Sequence, residues 1–146
     1  EAQALGRSRG GFSTKVHILV DALGNPLHIL LTGGHRNDIT QAEALLTDFD
    51  SQNVIADKGY DSTEFIAFIT KRESVAVIPP REKRTEPREY DKELYKERHL
   101  VECCINKLKQ YRRIFSRFEK LASRYLAFLK FAARLSGCGK CQQNLG

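Results

Sequence analysis

Apolar residues in the first quarter of the chain are arranged as in two β-strands joined by a turn. Residues 15–20 and 27–31 are rich in Val, Ile and Leu, which favour strands. The segment between them, residues 21–26, contains Asp, Gly, Asn and Pro, the residues that tight turns prefer. The pattern therefore predicts a hairpin of two antiparallel strands between Phe12 and Thr32.

Downstream of the hairpin, short apolar runs alternate with segments whose apolar residues recur at helical spacing. Short apolar runs are typical of strands, and the helical spacing is typical of amphipathic helices. The predicted order is a helix over 41–49, a strand over 53–56, a helix capped by Asp61 or Ser62, a strand over 74–78, and helices over 91–110 and 119–135. Antiparallel strands followed by strands that alternate with helices indicate an α/β fold, a mixed sheet with flanking helices.

The 146 residues are enough for one compact domain, which the pattern assigns to residues 12–135. Residues 1–11 have no strand or helix period and are expected to form a disordered or linker-like segment, and residues 136–146 a C-terminal tail. Because the chain begins with Glu1 rather than Met, we expect it to begin partway through a larger unit. No stretch is apolar enough to span a membrane and no secretory signal is visible, so the cytoplasm is the expected location.

Four cysteines raise the question of a metal site or a disulfide. They are Cys103, Cys104, Cys138 and Cys141. A cytosolic setting keeps thiols reduced, and Cys103 and Cys104 are neighbours that point about 100° apart on a helix. A zinc site built from all four is therefore disfavoured. We interpret them as free thiols, with a metal role for Cys138 and Cys141 left open.

The net charge of +6 is unevenly distributed along the chain. Residues 1–80 contain seven Lys and Arg against ten Asp and Glu, whereas residues 81–134 contain sixteen against eight. The basic segment is interleaved with Tyr and Phe, and it begins with residues 81–90, which lack any period and predict an exposed basic loop. Such a surface suits a polyanion, although a solvated helical face is often basic as well. The charge alone leaves both interpretations open.

Two carboxylates occupy positions from which a metal ion could be bound. Asp57 follows the predicted strand over 53–56 and precedes Gly59, where a ligand could approach the backbone closely. Glu102 lies in the long predicted helix. Magnesium usually takes one or two protein carboxylates, with substrate phosphate and water as its other ligands. Asp57 and Glu102 are therefore a candidate partial site, although a turn residue and a solvated Glu would look the same.

Glu102 shares its predicted helix with three other polar residues, Tyr95, Arg98 and Lys109. On a helical wheel the four lie within an arc of about 60°, at the border between the apolar and the solvated face. Their order, Tyr-(2)-Arg-(3)-Glu-(6)-Lys, resembles the signature of insertion-sequence DDE transposases. Four further segments resemble these transposases in the same order, at residues 6–15, 21–26, 56–61 and 77–81. The resemblance extends from residue 6 to about residue 134.

The resemblance implies a ribonuclease H-like fold, with Asp57 as the second and Glu102 as the third metal-binding carboxylate. It implies Mg²⁺ (or Mn²⁺) as the cofactor, and double-stranded DNA, both transposon ends and target, as the partner. In that family divalent ions activate water to cleave DNA at the ends of the element and then activate the freed 3′ hydroxyl for strand transfer. The implied activity is therefore DNA transposition by phosphoryl transfer.

Contacts with DNA are assigned partly by the resemblance and partly by charge. The resemblance assigns Tyr95, Arg98 and Lys109 to the transposon end. The basic charge adds Arg112, Arg113 and the loop 81–88 as a phosphate-contacting surface. A homo-oligomer is left open.

One feature of the family is missing from the sequence. In a ribonuclease H-like sheet the first carboxylate lies on a central strand upstream of the hairpin, but residues 1–11 contain no Asp. Asp21 lies in the predicted turn and Asp38 precedes a helix, so neither is a convincing replacement. We therefore expect an upstream transposase segment to supply the first Asp and the central strand, and this chain alone to be unstable and inactive.

Two other functions stay open at this stage. A nuclease of the same fold would keep the carboxylates without needing Tyr95, Arg98 and Lys109 together. A non-catalytic DNA-binding remnant or regulator of transposition would fit the missing Asp and the basic segment.

Overall fold

The computed structural model describes residues 6–8, 11–33, 39–82, 84, 88–111 and 122–136. The chain divides into two compact units, the first formed by Glu1–Arg36 with Leu100–Gly146 and the second by Asn37–His99. Each unit contains strands and helices, so the protein has a mixed α/β fold.

The sheet of the first unit is built around the predicted hairpin. Its strands are β1 (Gly6–Ser8), β2 (Gly11–Val20) and β3 (Pro26–Gly33). They pair antiparallel in the order β1-β2-β3. The hairpin prediction is confirmed, and both strands are longer than predicted because backbone pairing continues to Thr14↔Gly33, beyond the apolar run.

Strand β1 corrects the expectation of a disordered or linker-like segment over residues 1–11. Gly6 pairs with Ser13 and Ser8 with Gly11, so the sheet extends into this segment. The pairing uses backbone N–H and C=O groups, which every residue but proline offers. It therefore leaves no apolar period that a sequence pattern could have detected.

Asp21 organises the turn between β2 and β3, as its predicted turn position suggested. Its Oδ1 accepts hydrogen bonds from the N–H groups of Leu23 and Asn25, both at 2.8 Å, and its Oδ2 accepts one from Asn25 Nδ2 at 3.0 Å. Burial alone would raise the pKa of Asp21, but these donors lower it below its ordinary value. Gly24 has a φ of 79°, which glycine adopts without steric cost.

Two helices cover the hairpin and form the core of the first unit. They are α4 (His99–Lys109), whose first residue belongs to the second unit, and α5 (Ala122–Ser136). Each buries residues at helical spacing. The buried cluster consists of Ile29 on β3, Cys104 and Leu108 on α4, and Tyr125, Leu129, Ala132 and Ala133 on α5. The predicted helix over 119–135 is confirmed from residue 122 onward, since residues 119–121 lie outside the described part.

The second unit contains a two-stranded parallel sheet, β4 (Asn53–Ile55) with β5 (Val75–Val77). Three helices belong to it, α1 (Ile39–Leu46), α2 (Thr63–Lys71) and α3 (Lys92–Tyr95). Helix α1 begins two residues earlier and ends three residues earlier than predicted. Ser62, one of the two predicted caps, begins α2, because its hydroxyl accepts a hydrogen bond from Phe65 N–H at 3.0 Å.

Parallel and antiparallel pairing both occur, but in separate sheets among the described strands rather than in one mixed sheet. Strand β4 is only partly buried, with Asn53 exposed and Val54 and Ile55 half-buried. Its only neighbour among the described strands is β5, so one edge of β4 lacks a pairing strand there. The ribonuclease H-like sheet order stays a prediction.

The long helix predicted over 91–110 is divided into three parts. Asp91 caps it by accepting hydrogen bonds from the N–H groups of Glu93 and Leu94, both at 2.9 Å. Helix α3 is followed by a 3₁₀ turn at Lys96–Arg98, and then by α4. Side chains three residues apart come into line in such a tighter turn. The helical wheel drawn for an unbroken α-helix is therefore wrong at residues 96–98.

None of the described helices is long and apolar enough to cross a membrane.

Candidate active site

Asp57 lies two residues after the end of β4 and caps a 3₁₀ turn at Lys58–Tyr60. Its Oδ1 accepts a hydrogen bond from Gly59 N–H at 2.7 Å, and the residue is exposed. A Cβ atom at position 59 would lie 2.8 Å from that oxygen, too close for a carbon. The lack of a side chain at position 59 therefore leaves room for the carboxylate of Asp57 itself. The sequence instead predicts that this glycine lets a ligand approach the backbone.

The turn that follows Asp57 is held from the other side by Arg81. The Arg81 guanidinium donates to Gly59 O at 2.7 Å and to Lys58 O at 3.3 Å. Lys58 Nζ also lies 2.9 Å from Glu82 Oε1. The hydrogen bond and charge of Glu82 raise the pKa of Lys58, with a smaller contribution from Tyr95, and Lys58 lowers the pKa of Glu82. Both partners of this pair are exposed, so it adds little to stability.

Asp61, at the end of the same turn, is the only Asp or Glu among the described residues that is buried. Its side chain is 1% exposed. It accepts hydrogen bonds from Arg81 N–H at 2.8 Å, from Arg84 Nη1 at 2.5 Å and from Arg88 Nη2. Burial alone would raise the pKa of Asp61, but the Arg81 amide and the two guanidinium groups hold it below its ordinary value.

These contacts correct the prediction that the loop over 81–90 is exposed throughout. Arg84 and Arg88 are half-buried and face Asp61, because a buried carboxylate requires charged or hydrogen-bonding partners. From the sequence alone, Asp61 is predicted only as a helix cap. The single signal for its other role was a loop rich in Arg that follows a turn rich in Asp, which is a weak signal.

Tyr95 and Arg98 are brought together, as the signature spacing suggested. The Arg98 guanidinium carbon lies 5.8 Å from the centroid of the Tyr95 ring, within the range of a cation–π contact. Tyr90 packs edge-on against Tyr95, with ring centroids 5.5 Å apart and planes at 80°. The 3₁₀ turn explains the alignment of Tyr95 with Arg98, since it superimposes positions three residues apart.

Glu102 and Lys109 both lie on α4 and both are exposed. The opposite face of this helix buries Cys104 and Leu108. Glu102 is in the first turn and Lys109 in the last, where the helix dipole favours a negative and a positive charge respectively. The helix thus holds Glu102 toward solvent by packing its other face. Arg112 and Arg113 lie outside the described residues.

Asp57 belongs to the second unit and Glu102 to the first, and the joint metal site stays a prediction. The chemistry of the donors fits magnesium, because both residues offer exposed carboxylate oxygens of the kind this ion prefers. Within the described ranges, no group of three or more His, Cys, Asp or Glu residues is placed to hold a metal ion.

The cysteines that the structure describes behave as free thiols. Cys103 is exposed and Cys104 is buried, in agreement with their divergent directions on the helix. Burial raises the pKa of the Cys104 thiol, with a small opposing effect of Lys107. Cys138 and Cys141 lie outside the described residues.

Comparison with known proteins identifies the class. A family described as Transposase DDE domain matches residues 3–135, and the chain belongs to this family. The chain is 42% identical over 125 residues to a protein of Brucella ovis named as a transposase for insertion sequence element IS6501, covering 84% of this chain and 96% of the relative.

A second relative comes from Burkholderia cepacia and is named as a transposase for insertion sequence element IS402. The identity is 36% over 141 residues, covering 88% of this chain. The chain spans 64% of the length of that relative. No solved structure matches the chain.

Proposed function

We propose that the chain takes part in DNA transposition by metal-dependent phosphoryl transfer, with Asp57 and Glu102 as metal ligands. The observation that carries the proposal is the position of Asp57 in a chain of the transposase DDE family. The carboxylate is exposed at the end of β4 and is held in place by Gly59 N–H. An exposed carboxylate with a fixed direction is suited to bind a divalent ion.

In this proposal Asp57 and Glu102 hold Mg²⁺ or Mn²⁺. When bound, such an ion stabilises charge on the attacking and leaving oxygens of a phosphoryl transfer. In this proposal a further carboxylate is supplied by an upstream transposase segment, within a ribonuclease H-like sheet. Double-stranded DNA, as transposon ends and as target, is the substrate.

The proposed DNA contacts are divided between the two units. In the second unit Arg98 can receive a phosphate while its guanidinium is kept in place by the Tyr95 ring. In the first unit Lys109 is exposed in the last turn of α4. Arg112 and Arg113 complete the proposed set. Because Arg84 and Arg88 are engaged by Asp61, we assign them no phosphate contact.

The test uses the transposase encoded by the complete insertion sequence element, so that any segment encoded upstream is present. It measures Mg²⁺-dependent cleavage at the DNA ends of that element. Asp57→Asn keeps a side-chain oxygen that can still accept from Gly59 N–H, and Glu102→Gln keeps the shape of Glu102. Each change should reduce cleavage at least about a hundredfold, since even indirect partners of metal ligands cost tenfold to a hundredfold. DNA binding should persist, because cations rather than carboxylates hold phosphates.

Matched controls are available at exposed carboxylates outside the candidate site. Asp50→Asn removes an exposed carboxylate of the second unit, and Glu97→Gln removes one from the 3₁₀ turn that precedes α4. Both should leave cleavage within about twofold, because exposed carboxylates outside the site contribute little. Cleavage at an unchanged rate by Asp57→Asn or Glu102→Gln would show that the assigned ligands are wrong.

A non-catalytic DNA-binding function is favoured by one observation, the excess of sixteen Lys and Arg over eight Asp and Glu in residues 81–134. It predicts salt-dependent binding to all duplexes without cleavage. If the transposase encoded by the complete element binds DNA but never cleaves it with Mg²⁺ or Mn²⁺, this second function replaces the first.

A further inference from the structure

The turn that carries Asp57 is fastened to a segment that follows β5. Residues 58 and 59 direct their carbonyl oxygens at Arg81, which donates to both, at 3.3 and 2.7 Å. The two carbonyls lie in a short 3₁₀ turn, where backbone groups are poorly satisfied internally. A planar guanidinium with several donors is well suited to bind both. Arg81 thus holds the peptide groups that directly follow the Asp57 carboxylate.

Arg81 is itself fixed by Asp61. The backbone N–H of Arg81 donates to Asp61 Oδ2 at 2.8 Å, while Arg84 and Arg88 donate to Oδ1. The Asp61 carboxylate therefore binds the loop at three points, and the Arg81 side chain returns from that loop to the turn. Asp61 takes no part in capping α2, because Ser62 performs that function.

We infer that Asp61 is a positioning residue for Asp57, acting through Arg81 and the turn at Lys58–Tyr60. The inference rests on the proposed function of Asp57 as a metal ligand. The Asp61 side chain is 1% exposed, so it is out of reach of metal and DNA. Its lowered pKa, which the Arg81 amide and two guanidinium groups produce against the effect of burial, keeps the carboxylate ionised at neutral pH.

Amide hydrogen exchange in the full chain tests whether this network holds the turn. Asp61→Asn removes the charge that binds Arg84 and Arg88 and should accelerate exchange at the Gly59 and Arg81 amides about tenfold, by local opening. Arg81→Lys, a change at an exposed side chain that does not threaten folding, should accelerate exchange at Gly59. Asp61→Glu, which keeps the charge, should partly restore protection.

Asp50→Asn is the matched control for the loss of an ion pair, because Asp50 and Arg72 form an exposed pair in the same unit with N···O 3.1 Å. It should leave exchange at Gly59 unchanged. If Gly59 exchanges equally fast in the wild type, Asp61→Asn and Arg81→Lys, the network does not hold the turn and the inference is overturned.

Titration with Mn²⁺ alone tests the link between Asp61 and metal binding. The Mn²⁺ concentration at the midpoint of this titration does not depend on the overall stability of the fold. Paramagnetic broadening of the Gly59 amide should be selective in the wild type, relative to amides near the exposed Asp50, and should vanish in Asp57→Asn. In Asp61→Asn and Arg81→Lys the midpoint should shift to about tenfold higher Mn²⁺, the usual cost of losing a group that orients a ligand.

The two measurements separate the two possible failures. Selective broadening with the same midpoint in Asp61→Asn would overturn the positioning role while leaving Asp57 as a ligand. No selective broadening in the wild type would overturn the proposed function of Asp57, and with it the positioning role, even if exchange shows that Asp61 holds the turn.

Discussion

The two candidate ligands are held by opposite kinds of interaction. Asp57 lies in a turn of the second unit that polar groups hold, through Gly59 N–H, Arg81 and the buried Asp61. Glu102 lies on α4, whose opposite face is packed into the apolar core of the first unit through Cys104. The polar network depends on ionisation, whereas the apolar core depends on volume and close contact. Changes that weaken one should leave the other largely intact.

The largest effect on stability is expected in the apolar core. Leu129 on α5 is 1% exposed, and Leu129→Ala should cost about 3 kcal/mol through lost burial and a residual cavity. Denaturant unfolding, followed through amides of β2 and β3, measures this cost. Leu135→Ala is the control, because Leu135 is 61% exposed on the same helix and should cost less than about 0.5 kcal/mol. Equal costs at the two positions would contradict the assigned core.

A smaller effect is expected when the buried carboxylate of the second unit loses its charge. Asp61→Asn should cost about 2 kcal/mol, less than a fully buried ion pair because Arg84 and Arg88 keep partial access to solvent. The same loss should occur in acid. Since the pKa of Asp61 is lowered in the fold, its contribution is complete above the ordinary Asp value of about 3.9 and is lost as the pH falls through the lower folded-state pKa.

The acid response also distinguishes the two units. Asp21 in the first unit has a lowered pKa as well, but it is half-buried and accepts only from uncharged groups of its turn. Asp61→Asn should reduce the loss of amide protection in the second unit as the pH falls below about 3.9, and should leave the acid response of β2 and β3 unchanged. An unchanged acid response of the second unit in Asp61→Asn would contradict the polar character assigned to it.

The smallest effect on stability is expected at Gly59, where a substitution should instead reduce cleavage. Gly59→Ala places a methyl group against Asp57 Oδ1, and a flexible side chain can move away at a cost below about 0.5 kcal/mol. Cleavage should nevertheless fall about tenfold, because the ligand is displaced. Gly24→Ala should have the opposite pattern, with a larger loss of stability and no specific effect on the site. Its φ of 79° costs about 1–2 kcal/mol for a residue with a Cβ, whereas its nearest contacts with Leu100 are ordinary at 3.6 Å.

Local chemistry explains which features could be predicted from the sequence. The hairpin, the Ser62 cap and the pairing of Tyr95 with Arg98 depend on neighbours in the chain, so spacing and residue type identify them. Strand β1 and the contacts of Asp61 depend on partners that the pattern does not specify. Backbone pairing leaves no apolar period, and ion pairs between residues 23 and 27 positions apart resemble solvated charges in a sequence.

The division into two sheets could also not be predicted from the pattern of apolar residues along the chain. Apolar runs identify strands, but they do not determine which strands pair, because pairing depends on long-range backbone contacts. The α/β class was therefore predicted correctly, whereas the described strands form two separate sheets instead of the single mixed sheet that was predicted.

The central claim, that Asp57 binds a catalytic divalent ion, is tested most directly by changing the preference of the ligand. A thiolate is a soft ligand that Mg²⁺ accepts poorly and Mn²⁺ accepts better. In the transposase encoded by the complete element, Asp57→Cys should lose cleavage at the element's ends with Mg²⁺ and regain a measurable part of it with Mn²⁺. Asp57→Ala should regain none. Equal cleavage by wild type and Asp57→Cys in Mg²⁺, or recovery of Asp57→Ala in Mn²⁺, would contradict the claim.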